Sequence, residues 1–375
     1  MDFDQLIDRR ATSSHKWNKY AGRDILPLWV ADMDFRSPPS VIAALERRVA
    51  HGVFGYTDPP ESLVEAVGAY ARRHYDWAIE PDWYVWLPGL VPGINLACRT
   101  VGREGDAVLT AIPVYPPFRR APALAGRELI EVPLIQGEGQ WRWDFAALEA
   151  AITPRTHLLL LCHPHNPVGR VWREEELVPL VEIARRHGLV ICSDEIHCDL
   201  ILDPGRQHRP LAQFAPDYAS HIITLMAPSK TWNLAGLGCA FAVIPDADLR
   251  RRFRQAMAGL VPQVNALGFT AAEAAYRDDG RWRAALLAYL RGNRDCLRDW
   301  LAGSERLRMT VPEATYLAWI DARAVDPVHP LPKFEALGVG LSDGRDFGLP
   351  GYVRLNFGCP RALLEQAVGR LAPLR

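Results

Sequence analysis

Between about residue 83 and about residue 245 the chain alternates short apolar runs with helical periods, a pattern that argues for a parallel sheet covered by helices. The candidate strands are Trp83 to Leu87, Ala107 to Thr110, Leu129 to Val132, His157 to Cys162, Leu189 to Cys192, His221 to Met226 and Ala240 to Ile244. Between the fourth and fifth, Glu174, Glu175 and Glu176 lead into Leu177, Leu180, Val181 and Ala184 on one helical face, and Arg185, Arg186, His187 and Gly188 follow. Acids at the start, bases at the end and a closing glycine suit the helix dipole and a left-handed cap.

At 375 residues the chain exceeds the usual size of a single core. We expect an α/β protein with a large domain over 41–270, built on a mostly parallel seven-stranded sheet. Residues 1–40 and 271–375 should combine into a smaller α/β domain, since the first stretch is irregular and the last alternates long helices with short strands. No repeat, low-complexity tract or flexible linker interrupts the sequence.

Composition narrows the function class. Hydrophobic residues at 49% and charged residues at 23% describe an ordinary globular protein, and a net charge of -1 leaves no electrostatic footprint for nucleic acid or an anionic membrane. No apolar run is long enough to span a bilayer. Seven cysteines without regular spacing argue against a disulfide framework and for a reducing compartment. Cys192, His197 and Cys198 cluster, but no matching pair stands at zinc spacing, so no metal is expected. The acidic opening, Met1 to Asp8, lacks the segments of a signal peptide, and a cytoplasmic location is the expectation.

In an open parallel sheet, ligands bind beyond the carboxyl ends of the strands. The residues there are Gly89, Asn166, Asp194 and Lys230, with Tyr115 in another post-strand loop. Lys230 draws notice because only four lysines stand among 43 Lys and Arg residues. An arginine cannot form an imine, whereas a desolvated lysine amine loses its proton and attacks a carbonyl. Each signal has a plain alternative. Lys230 could be a stray loop lysine, Asp194 a helix cap, and Asn166 to Gly169 a turn. Their conjunction carries the argument: an amine, a carboxylate, an amide and an aromatic ring are what an aldehyde-bearing pyridine cofactor requires. The stretch Pro88 to Gly93, opening a helix, offers backbone N–H groups to a phosphate.

The chain resembles the fold type I, aspartate-aminotransferase-like enzymes that use pyridoxal 5'-phosphate, and within them the MalY/PatB family of cystathionine β-lyases, or cysteine-S-conjugate β-lyases. The likeness runs through Lys16-Trp17, Pro27 to Phe35, Phe54 to Thr57, Pro113 to Phe118, His165 to Trp172, Asp194 to His197, Ala227 to Asn233 and Arg354 to Arg361. It implies a pyridoxal-phosphate transferase-like fold and catalysis by Lys230, Asp194 and Tyr115. Lys230 would hold the cofactor and act as base, Asp194 would pair with the pyridine nitrogen and so hold its own carboxyl below the usual range, Asn166 would bond the ring hydroxyl, and Tyr115 would stack on the ring. Leu90 and Val91 fall at the phosphate-binding turn. His197 stands where the wider superfamily has a tyrosine near the ring hydroxyl. Arg354, with Ala31, would receive the substrate carboxylate, and Tyr56 would reach the phosphate of a neighbouring subunit, which implies a homodimer with shared sites.

Three positions depart from the family pattern: His163 replaces a frequent Asn, Asn18 a usual Asp, and Gly238 a phosphate-binding arginine. The implied reaction is α,β-elimination of L-cystathionine or a related thioether to pyruvate, ammonia and a thiol, with no nucleic acid or membrane partner. An aminotransferase shares the early chemistry, and a cofactor-bound regulatory or binding protein is a further alternative; an intact catalytic set argues against the latter as the sole role.

Overall fold

The computed structural model describes residues 1–137 and 139–375. All seven expected runs form strands of one sheet: β1 (Tyr84–Leu87), β2 (Ala107–Ile112), β3 (Glu128–Pro133), β4 (Thr156–Cys162), β5 (Val190–Asp194), β6 (Ile222–Met226) and β7 (Ala240–Val243). Their spatial order is β1-β7-β6-β5-β4-β2-β3. Pairings are parallel from β6 through β3, and β7 runs antiparallel to both of its neighbours. The central strands are buried on both faces, so each reads as an unbroken apolar run rather than an alternating one. The edge strand β3 is the most exposed and carries Glu128 and Glu131.

Helices cover the sheet where the periodicity places them. Helix α1 (Leu90–Thr100) lies so close to it that a Cβ on Gly93 would fall 3.0 Å from the Leu225 side chain. Helix α2 (Glu174–His187) buries Leu177, Leu180, Val181 and Ala184 and ends at Gly188 with φ 63° in the left-handed region.

A second, antiparallel sheet has the order β8-β9-β11-β10, formed by β8 (Arg308–Met309), β9 (Leu317–Asp321), β10 (Ser342–Asp343) and β11 (Tyr352–Asn356). The N-terminal segment joins this part of the chain: Leu26–Pro27 pairs in parallel with Val339–Gly340, and Phe3 packs on Trp282 and Tyr289 of the long helix Arg281–Leu301. Among the described residues no helix is long and apolar enough to cross a membrane.

Candidate active site

The carboxyl edge of the large sheet opens on one cavity. Its walls include Ala31, Leu90, Val91, Tyr115, Asn166, Asp194, His197, Lys230 and Arg354. Nine of the ten expected site residues thus meet in one place, although they span more than 300 positions of sequence. Parallel strands explain the convergence, because β1, β2, β4, β5 and β6 all deliver their C-terminal loops to the same edge.

Lys230 lies four residues beyond β6, half-buried, and its Nζ donates to the Ala31 carbonyl at 2.6 Å. Burial lowers its pKa to about 8; Asp32 and Asp194 oppose that shift and Arg354 adds to it. An amine so poised loses its proton far more readily than a free lysine. The other three lysines offer no substitute. Lys16 is buried against Asp34 at 2.7 Å, and Lys19 and Lys333 are exposed on the surface.

Asp194 ends β5, buried, and the only hydrogen bond to its carboxylate among the described residues comes from the Ile196 N–H. Asp194 and Glu195 cap a tight turn over 196–199 rather than a helix. Burial raises the Asp194 pKa to about 7, the neighbouring Glu195 adds to the rise, and the Ile196 N–H and Lys230 only partly offset it. The lowering anticipated from the sequence belongs to a carboxylate already paired with a cation; in the chain alone, desolvation prevails.

Behind Asp194, the Glu195 carboxyl accepts from Ser193 Oγ and the Leu211 N–H and meets His208 Nε2 at 2.8 Å. Burial pushes Glu195 up and His208 down, which favours a neutral pair. His163, one of the three unusual positions, belongs to this layer: its ring lies 4.4 Å from His208 and its Nε2 meets the Arg209 carbonyl. It therefore supports the wall and does not line the cavity.

Arg354 projects from β11, buried. Its Nη1 donates to Asn166 Oδ1 at 3.0 Å, its Nη2 to the Trp29 carbonyl at 2.9 Å and to Ser342 Oγ, and its Nε has no partner. The guanidinium stacks over Phe347 at 4.7 Å. Burial draws its pKa down to about 10, which leaves it protonated at neutral pH. Tyr115 begins the helix Pro116–Leu124, and its N–H donates to the Asn166 carbonyl. His197 is buried, its pKa lowered to about 3 by desolvation and by Lys230 and Arg354, and its Nδ1 lacks a partner. A neutral imidazole with a free ring nitrogen faces a cavity that otherwise holds charge.

At the far wall, Leu90 and Val91 open α1 after Gly89, so unpaired N–H groups of the first turn border the cavity. Gly238 lines it too, at φ 58°, where a Cβ would stand 3.1 Å from the Pro88 carbonyl. An arginine there would be strained as well as absent. Tyr56 is the exception among the expected residues: it is fully exposed and lies away from this cavity, beside Phe54 and the segment Pro262 to Leu267. Asn18 makes no side-chain contact in the site; Lys16 and Trp17 instead bind Asp34.

The profile of the family described as aminotransferase class I and II matches residues 23–371. The chain belongs to that family. Among its relatives within the aminotransferase class I and II family, the cystathionine beta-lyase PatB of Bacillus subtilis is 36% identical, over 99% of this chain and 99% of its own. A crystal structure of OvoB is 48% identical with a TM-score of 0.97, covering 100% of this chain and 99% of that one. Cystalysin of Treponema denticola, whose structure contains a pyridoxal 5'-phosphate cofactor, is 32% identical with a TM-score of 0.95, covering 100% and 98%.

The strap of residues 29–33 falls within the Pro27 to Phe35 stretch that the resemblance singles out, but sequence reasoning does not reach how it is held: it has no regular secondary structure yet is bonded at every carbonyl. Trp29 O accepts from Arg354 and Ser342, Val30 O from Asn356, Ala31 O from Lys230 and Tyr316, Asp32 O from Lys16 and Asn356, and Met33 O from Asn233 and Arg9. Ser342 sits in a two-residue strand and Tyr316 reads as a core aromatic before β9, so neither announces itself.

Proposed function

We propose that the protein is a pyridoxal-phosphate-dependent carbon–sulfur β-lyase acting on L-cystathionine or a related cysteine thioether. The observation that carries the reading is Lys230: a lysine with its pKa lowered to about 8, on one cavity with a buried carboxylate and a buried guanidinium. The choice of elimination over transamination rests on PatB, a full-length relative named for that reaction.

The residues fit the cofactor. Asp194 is a buried carboxyl whose pKa is raised to about 7 because no cation sits close enough to offset its burial, and a protonated pyridine nitrogen would supply that cation. His197 Nδ1 is a buried ring atom still in need of a partner, and the N–H groups at the start of α1 suit a phosphate. Bound there, pyridoxal phosphate supplies an aldehyde and a conjugated ring that accepts the electron pair left at the substrate α-carbon.

The chain's part is then positioning and proton transfer. Arg354 receives the substrate carboxylate through its unpaired Nε and the Nη groups now resting on Trp29, Ser342 and Asn166. Lys230, released from its carbonyl acceptor, takes the α-proton. Asp194 would pair with the ring nitrogen and keep it protonated, Asn166 and His197 would hold the ring hydroxyl, and Tyr115 would stack on the ring. The β-thiolate departs and takes up the proton held by Lys230, and water hydrolyses the remaining three-carbon enamine to pyruvate and ammonia. Residues 41–270 serve as the cofactor-binding domain and the remainder as a smaller one that carries Arg354. The free state of all seven cysteines supports work in a reducing cytoplasm.

Incubated with L-cystathionine and no keto acid, the purified protein should release pyruvate, ammonia and free thiol over many rounds. An aminotransferase, the reading that the family's description keeps open, would stall after a single round per site until a keto acid is supplied. Such a stall across several cysteine thioethers would decide for transamination.

A homodimer with shared sites follows from Tyr56. Phe54 and Tyr56 are exposed beside the segment Pro262 to Leu267, which supports burial against a second copy. With Gly238 contributing no charge, Tyr56 takes over part of the phosphate's anchoring across the boundary. Tyr56→Phe should weaken cofactor binding by roughly 10-fold or more, the worth of a hydrogen bond to a charged group. Mixed dimers with a second inactive variant should recover one competent site. Sedimentation of a fully active monomer would rule the shared site out.

A further inference from the structure

Tyr316 touches three parts of the site, and the residue before it a fourth, without entering the cavity. Its hydroxyl donates to the Ala31 carbonyl at 3.0 Å, the same oxygen that accepts from Lys230 at 2.6 Å. Its carbonyl accepts from the Phe357 N–H, just past the strand that carries Arg354, and the preceding Thr315 N–H donates to Leu200 O, beyond the Asp194 turn. Its ring stands edge-on to His197 with centroids 6.2 Å apart. The side chain is 1% exposed, and burial raises its pKa, so it remains a phenol and acts as donor. A phenol clamped through its own carbonyl, the preceding N–H and its ring has no freedom to seek another acceptor.

We propose that Tyr316 is a positioning residue for Lys230: its hydroxyl fixes the Ala31 carbonyl on which the Lys230 amine rests and shares that oxygen's acceptor capacity with it. Two consequences follow, both resting on Lys230 as the reacting amine. First, the carbonyl cannot swing with the irregular strap, so the amine returns to one place each time it is free. Second, a carbonyl already engaged by a phenol stabilises an ammonium less than a free one, which keeps more of Lys230 neutral. The other groups facing the amine are the Asp32 and Asp194 carboxyls, the Arg354 guanidinium, the neutral His197 and the Tyr115 phenol. Each of them keeps its place when Tyr316 is changed to a residue that keeps the ring, and of the groups named only Asp32, Arg354 and Tyr115 are electrostatically coupled to the phenol itself.

Tyr316→Phe removes the donor alone. In the cofactor-free chain, the rate of pyridoxal phosphate capture against pH, read by absorbance, reports the fraction of Lys230 that is neutral. For the unaltered chain it should rise with pH through about 8. Without the phenol the ammonium gains the whole carbonyl, so the midpoint should move up by roughly 0.4 to 1 unit, the size one neutral hydrogen bond commands. Turnover of L-cystathionine should show a lower kcat with KM nearly unchanged. As a second arm, 3-fluorotyrosine at 316, a stronger donor, should move the midpoint down. Midpoints at the unaltered value in both proteins would overturn the proposal while leaving the lyase reading intact. Capture by a Lys230→Ala chain equal to that of the unaltered one would instead remove Lys230 from the reaction and the proposal with it.

Discussion

A Lys230→Ala chain is expected to lose turnover by at least roughly 10⁴-fold, the upper end of what a positioned base contributes, and to lose the covalent attachment of its cofactor. The size follows from the absence of a stand-in. Lys16, the nearest rival in burial, donates at 2.7 Å to Asp34, which Trp17 and Arg9 also hold, and it lies outside the cavity. Lys19 and Lys333 are on the surface. Borohydride treatment followed by peptide mapping checks this directly: the unaltered protein should carry the reduced label at Lys230, and the variant none. A label on any other lysine of the variant would show that a different amine reaches the cofactor.

Arg354→Ala should lower kcat/KM by about 30-fold to several thousand-fold, because removing one partner of a buried charge pair costs roughly 2 to 5 kcal/mol. Cofactor affinity should fall far less. Arg354 reaches Asn166 through a single hydrogen bond, so Asn166 loses one donor while the phosphate end of the site is untouched. Titration of the cofactor-free chain with pyridoxal phosphate separates the two effects. An unchanged kcat/KM would take Arg354 out of substrate binding.

The sheet was legible in the sequence because its central strands are buried on both faces and leave unbroken apolar runs; all seven appear within a few residues of the expected bounds. Strand order and the reversed direction of β7 were not, since neither is written in the local pattern of Ala240 to Val243. Residues at strand ends, such as Asn166, Asp194 and Lys230, could be placed together by one topological rule. Tyr316 and Ser342 could not, because they act through backbone oxygens far away in sequence and carry no periodic mark. The charge state of Asp194 escaped for another reason. Its direction depends on whether burial or a bound cation prevails, and burial is a property of the folded chain alone.

The strap has a consequence for how the substrate range of such an enzyme can change. At Val30 and Ala31 the anchoring runs through carbonyl oxygens, which every amino acid possesses, while the side chains of these two residues face the cavity. Recognition of the variable part of a substrate and retention of the reacting amine are therefore written in separate chemical alphabets on the same two residues. Size and polarity at these two positions are free to drift under selection without loosening Lys230 or Arg354, so new thioethers become accessible by single steps that leave the machinery in register.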